Sequence, residues 1–211
     1  MARPLRLKEM TPAQAAEALK STSRLLVPAG TVEARGPHLP LGCDTVILER
    51  LADDLSASTG IPRAPAIEYG VHATKDDPVP GTAALSRKTL HRAMNELIAL
   101  WEEVGGVRDT LILTAHAADP HLEALSTIRT SGRVRVADIL ALESLPPLLE
   151  SRFGPWHGGE VDTSLMLYLA PELVDLTLVA PTMLASAEKG SRFYAAILDS
   201  LSQYFQPIQA S

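Results

Sequence analysis

Three stretches of the chain gather the side chains that could do chemistry: Glu33, Arg35 and His38 with Asp44; His116 with Asp119; and His157 with Glu160 and Asp162. Imidazole and carboxylate are ligands of divalent transition metals such as Zn²⁺, Mn²⁺ or Fe²⁺. A catalytic ion takes about three protein ligands, which leaves a position open for water. Glu33, Asp44 and His116 can supply such a set. An ion there would polarise a carbonyl and lower the pKa of a bound water toward about 7, the chemistry of metal-assisted hydrolysis.

Each stretch also has a plainer explanation. Asp44 can be the N-cap of a helix starting near Thr45, and Glu33 a solvated loop acid. A neutral His116 can bridge two backbone groups without an ion. Gly158 and Gly159 can serve only to turn the backbone, with Glu160 and Asp162 favoured by the positive end of the following helix. On residue type and spacing alone both explanations stand.

These residues need a scaffold, and the hydrophobic pattern supplies one. Short apolar runs at Leu25–Pro28, Thr110–Thr114 and Arg133–Ile139 read as strands, with Pro65–Tyr69 a shorter one. Helical periods at Val46–Ser58, Pro120–Thr130, Val161–Leu169 and Ser186–Phe205 alternate with them. Ser86 caps a further helix to Val104, with Leu90, Met94, Leu97 and Trp101 on one face and Gly105-Gly106 at its end. Strand and helix in alternation predict a three-layer α/β/α sandwich around a mostly parallel sheet. His116 then falls just past a strand's carboxyl end, where ligands bind in such sheets.

With 211 residues, 46% of them hydrophobic, residues 1–211 are expected to form a single domain. The net charge of −6 argues against nucleic acid or an anionic membrane surface as partner, because both need a basic face. No apolar run approaches the roughly 20 residues of a membrane span. The single cysteine, Cys43, rules out an internal disulfide framework, and the charged N-terminal stretch is unlike a signal peptide, so a cytoplasmic setting is expected. Neither usual glycine-rich phosphate loop is present, which leaves nucleotide binding without support.

The ordered motifs resemble the creatininase family. The first loop reads Gly30-Thr31-Val32-Glu33-Ala34-Arg35-Gly36-Pro37-His38-Leu39-Pro40-Leu41-Gly42-Cys43-Asp44, against the family's Gly-Ser-x-Glu-Gln-His-Gly-Pro-His-Leu-Pro-Leu-x-x-Asp. Tyr69-Gly70, Pro80-Gly81-Thr82 and His116 follow, then His157-Gly158-Gly159-Glu160-Val161-Asp162-Thr163-Ser164, similar to the family's His-Ala-Gly-Glu-x-Glu-Thr-Ser. Ser186-Ala187-Glu188-Lys189-Gly190 completes a likeness running from about Leu25 to Gly190.

The resemblance implies hydrolysis of a cyclic or linear amide C–N bond in a small molecule, and a homo-oligomer, often a hexamer. It also implies two divalent ions sharing an aspartate. Glu33, Asp44 and His116 match the ligands of one ion, with Asp44 at the shared position. The second ion's own ligands fall on Arg35 and Ala118, neither of which can bind a metal, so one ion per chain is expected. Asp119 and His38 are candidate substitutes. The family's glutamine falls on Ala34, its strand-end Asn-Gly on Thr114-Ala115, and a histidine before Pro-Gly-Thr on Asp76.

By the same resemblance His157 lies on the substrate side, Glu160 can pass a proton to the leaving nitrogen, and Arg35 can stand in for a cation near the oxyanion. The short stretch between Leu140 and Gly154, with Trp156 the aromatic beside the third motif, argues against creatinine itself as substrate. The competing expectation is a non-catalytic descendant, a binding or assembly protein in which Arg35 neutralises Glu33 and Asp44.

Overall fold

Residues 2–72, 79–151, 157–181 and 183–204 are described by a computed structural model. Three parallel strands, β1 (Arg24–Pro28), β2 (Asp109–Thr114) and β3 (Arg133–Asp138), form one sheet in that order. Leu25 pairs with Thr110, and Thr110 in turn with Val134. Parallel neighbours need long crossovers. Helices α2 (Cys43–Thr59) and α3 (Arg87–Gly105) lie between β1 and β2, and α4 (Asp119–Ser126) between β2 and β3. Before and after them come α1 (Pro12–Thr22), α5 (Glu160–Leu169) and α6 (Ala187–Tyr204).

The strands are apolar on both faces because both are covered. Leu26, Leu111, Leu113 and Ala137 join one core with Ile47, Leu51, Leu165, Phe193 and Ile197 of α2, α5 and α6. Their neighbours Leu25, Val27 and Ile112 point the other way, into a core with Leu90, Met94, Ile98 and Leu125 of α3 and α4. Period-two alternation along the strands thus divides the apolar residues between two helical layers, giving the α/β/α arrangement. Each fully buried leucine contributes about 1.5–3 kcal/mol toward it.

Local boundaries follow from caps. The Ser86 hydroxyl accepts the Thr89 amide at 3.2 Å to start α3, and the left-handed Gly106 ends it. The buried stripe of α3 is Leu90, Met94 and Ile98; Leu97, expected inside, is 37% exposed. A reciprocal Thr11–Gln14 capping box opens α1, an element the strand-and-helix alternation did not reveal. Pro65–Tyr69 is not a strand; Ile67 makes only an isolated bridge to Ala29 at the end of β1.

Helix α2 begins at Cys43 with Gly42 as N-cap, so Asp44 is not the cap and its carboxylate is available elsewhere. The carboxyl ends of β1 and β2 lie side by side, which brings the loop after Pro28 next to His116. Among the described residues no helix is long and apolar enough to cross a membrane.

Candidate metal centre

Arg35 is the hub of the loop between β1 and α2. Its side chain is 1% exposed. Nη1 donates to Asp162 Oδ2 at 2.7 Å and Nη2 to the Ala115 carbonyl at 2.9 Å, while Nη2 also lies 2.5 Å from Asp44 Oδ1. The last contact is Coulombic more than directional, since Asp44 Oδ1 has no aligned hydrogen bond. The other Asp44 oxygen accepts from the Thr31 amide at 3.2 Å and hydroxyl at 2.8 Å. Asp162 Oδ2 also takes the Gly158 amide at 2.8 Å. Gly158 has a φ of 69°, and a Cβ there would collide with the Arg35 carbonyl, so the turn before α5 presses directly on the first loop. One guanidinium therefore joins the ends of β1 and β2 to the start of α5.

Beside this pair lies a group with ligand chemistry. Glu33, His116 and His157 each offer one ligand atom, and these atoms lie within 4.8 Å of one another. His116 Nδ1 is 3.4 Å from Glu33 Oε2, and His157 Nε2 is 4.0 Å from Glu33 Oε1. Ligands about 2.0–2.2 Å from a tetrahedral ion are separated by about 3.3–3.6 Å, so the first pair fits as it stands, while the second needs a small closure and the release of the Nε2 proton that His157 gives the Ala34 carbonyl. His157 Nε2 meets the Ala34 carbonyl at 2.9 Å, and its ring is 43% exposed, which makes it the solvent edge of the group.

Burial sets the charge states. It drives His116 down to about 3, helped by His121, Arg35 and His157, so its imidazole is neutral at pH 7 and has a lone pair to give. Burial also pushes the Asp44 carboxyl up to about 6, against the pull of Arg35. One arginine shared between two carboxylates does not fully compensate either. Both outer nitrogens of Arg35 are engaged, while its Nε and the His116 Nε2 are buried without an aligned partner among the described residues.

The creatinine amidohydrolase (Creatininase) family model matches residues 8–184. The chain belongs to the creatininase family. It is 27% identical over 177 residues to the 3-dehydro-scyllo-inosose hydrolase of Thermotoga maritima, covering 78% of this chain and 56% of that protein. Identity to the creatinine amidohydrolase of Pseudomonas putida is 25% over 178 residues, 74% of this chain and 67% of the enzyme. A creatininase crystal structure shares the fold at a TM-score of 0.82 and 21% identity, with 97% of this chain and 99% of that one covered. A manganese creatininase structure superposes equally well, at 0.82.

Within this creatininase fold several residues sit differently from expectation. Glu33 and His116 meet, but Asp44 is not part of their group: Arg35 draws its carboxylate away, and His157 takes the third place. Arg35 is a cation at the centre, yet too enclosed to touch a substrate. Glu160 does not face the group; its carboxylate accepts the Glu150 and Ser151 amides at 3.1 and 2.7 Å and pairs with Lys189 at 3.0 Å. The substitutes also serve other ends. His38 Nε2 meets the Thr163 hydroxyl at 2.8 Å, and Asp119 is exposed at the start of α4. Asp76 and Trp156 lie outside the described residues.

One residue of the centre was seen without its role, and one escaped the sequence. Asp162 stood among the candidates of the third motif, but nothing in the sequence showed that it pairs with Arg35. His121 sits within α4, fully buried, with no motif around it.

Proposed function

We propose that the protein is a metal-dependent amidohydrolase that holds one divalent ion, Zn²⁺, Mn²⁺ or Fe²⁺, on Glu33, His116 and His157, with the Arg35 guanidinium in place of a second ion. The observation that carries this reading is a charge imbalance. Asp44 and Asp162 share a single cation, Arg35, while Glu33 beside them meets only His157 and the neutral His116 among the ionisable groups described. Three buried or half-buried carboxylates against one guanidinium leave about two negative charges uncompensated, and such charge is costly in a low-dielectric interior. A dication on the Glu33 group balances it.

The donor atoms support the same reading. If His116 carries its proton on Nε2, that N–H has no aligned acceptor among the described residues and the Nδ1 lone pair faces the Glu33 carboxylate. If the proton is on Nδ1, the Nε2 lone pair is the orphan. Either tautomer leaves a buried polar atom wanting a partner.

When bound, the ion supplies Lewis-acid polarisation of the substrate carbonyl and acidifies a water. Glu33 and His116 are held for it by the loop after β1 and the end of β2. His157, which would exchange its Nε2–H bond to the Ala34 carbonyl for the ion and carry its proton on Nδ1, presents the exposed edge from which substrate arrives. Arg35 adds a fixed positive charge 3.4 Å from His116 Nδ1, which stabilises negative charge growing on the carbonyl oxygen without contact. The relatives share hydrolysis; the creatinine amidohydrolase supports a small-molecule amide, cyclic or linear, as the substrate class, whereas an inosose has no amide and its hydrolase supports hydrolysis alone. Assembly into a homo-oligomer and a cytoplasmic setting belong to the same proposal; exposed Leu100 and Val104, one turn apart on α3, are apolar surface suited to an interface.

The test is the metal content of protein purified without chelator. About one divalent ion per chain is expected, and none would end the reading.

The close Arg35–Asp44 pair favours a second reading, a non-catalytic family member whose centre is neutralised internally. It requires protein that binds no divalent ion and hydrolyses no amide.

A further inference from the structure

We infer that His121 is a positioning residue for the metal ligand His116, acting through Thr114; this rests on the metal reading above. His121 is fully buried in α4, near the carboxyl end of β2. Its Nδ1 accepts the Val71 amide at 3.2 Å. A backbone amide can only donate, so Nδ1 carries no proton and the ring is the Nε2–H tautomer. That Nε2–H donates to the Thr114 hydroxyl oxygen at 3.0 Å. The same oxygen accepts the His116 amide at 3.3 Å. The relay runs from the loop at Val71 through one imidazole and one hydroxyl to the backbone of the ligand.

The ring also holds the ligand from the side. His121 and His116 stack edge to face, with centroids 5.2 Å apart and planes at 87°. On its far side His121 is pressed against Gly70, where an added Cβ would lie 2.6 Å from Nδ1 and 2.6 Å from the Gly30 carbonyl. A ligating histidine is ordinarily oriented by a partner on its second nitrogen. His116 Nε2 has no aligned partner among the described residues, although the Val71 backbone lies close enough to favour a proton on the ring, so its orientation depends on that loop, on its own backbone and on the ring beside it.

The experiment compares wild type with Thr114→Val, His121→Leu and His121→Gln. Thr114→Val is nearly isosteric and removes only the shared acceptor. Zn²⁺ affinity is measured by titration calorimetry on the full chain, and the ring tautomers by ¹⁵N NMR on the metal-free protein. Thr114→Val and His121→Leu are expected to weaken Zn²⁺ binding by about 10- to 100-fold. His121→Gln, which keeps a donor and an acceptor, is expected to recover part of the loss. The metal-free wild type is expected to show His121 as the Nε2–H tautomer and a single set of His116 ring resonances that multiplies or broadens in Thr114→Val.

Unchanged Zn²⁺ affinity in folded Thr114→Val, or an Nδ1–H tautomer at His121, overturns the assignment. A wild type that binds no Zn²⁺ overturns the metal reading instead. The tautomer and the His116 resonances of Thr114→Val then decide the relay by themselves.

Discussion

Arg35 Nη2 lies 2.5 Å from Asp44 Oδ1, and both side chains are 1% exposed. A buried pair of this kind is costly to break, because removing one partner strands the other in a low-dielectric site. Here the guanidinium serves two carboxylates, so its removal strands both Asp44 and Asp162.

Arg35→Met is therefore expected to destabilise the protein by about 3–5 kcal/mol in denaturant unfolding at pH 7. Adding Asp44→Asn and Asp162→Asn should restore most of the loss. A single Arg35→Met substitution within about 0.5 kcal/mol of wild type would show that the pair carries no such burden.

Zn²⁺ or Mn²⁺ at a thousand times its dissociation constant adds about 4 kcal/mol to a protein that binds it only when folded. Calorimetric scans should show that gain in wild type and its loss in Glu33→Ala and His116→Ala. A melting temperature indifferent to both ions selects the non-catalytic reading.

Acid should destabilise the metal-free fold. His116 and His121 have folded pKa values of about 3 and about 4, below the ordinary 6.5, so each binds fewer protons folded than unfolded as pH falls from about 6.5. Their contribution is present above that pH and lost on acidification. Asp44 works the other way: its folded pKa of about 6 exceeds the ordinary 3.8, so stability falls as pH rises from about 4 to about 6. Two histidines against one carboxyl leave a net gain with rising pH across that window. Chemical denaturation at pH 4.5 and 6.5 checks the sign, and a lower stability at 6.5 contradicts it.

Glu160→Gln separates structure from chemistry. The Ser151 amide and Lys189 hold the Glu160 carboxyl below its usual range against the effect of burial, so its charge belongs to the 150–151 turn. The variant should lose about 1–3 kcal/mol of stability while keeping its Zn²⁺ affinity. A large fall in affinity without a stability change would return Glu160 to the centre.

The strands and most helices were legible because their signals are local. Leu25–Pro28 and Thr110–Thr114 are apolar on both faces, and Ser86 and Gly106 mark the ends of α3. Leu97 was assigned inward because both it and Ile98 satisfy a helical period, and only packing against the sheet chooses between them. The positions of Glu33 and His116 were legible from the ordered motifs. For Asp44 the sequence offered both a metal ion and Arg35 as partner without choosing, since an aspartate that ligates and one that pairs with arginine have the same neighbours in sequence. Only the direction in which Arg35 folds back decides it. His121 was invisible for the same reason: its partners, Val71 and Thr114, come from two other parts of the chain.

The contact between Arg35 and Asp162 spans 127 positions of chain, and the turn at Gly158 touches the Arg35 carbonyl directly. Two distant stretches are thereby machined to a single tolerance. Anyone seeking to retune this centre for a new substrate must redesign them jointly, because shifting either alone takes Glu33 of the one out of line with His157 of the other.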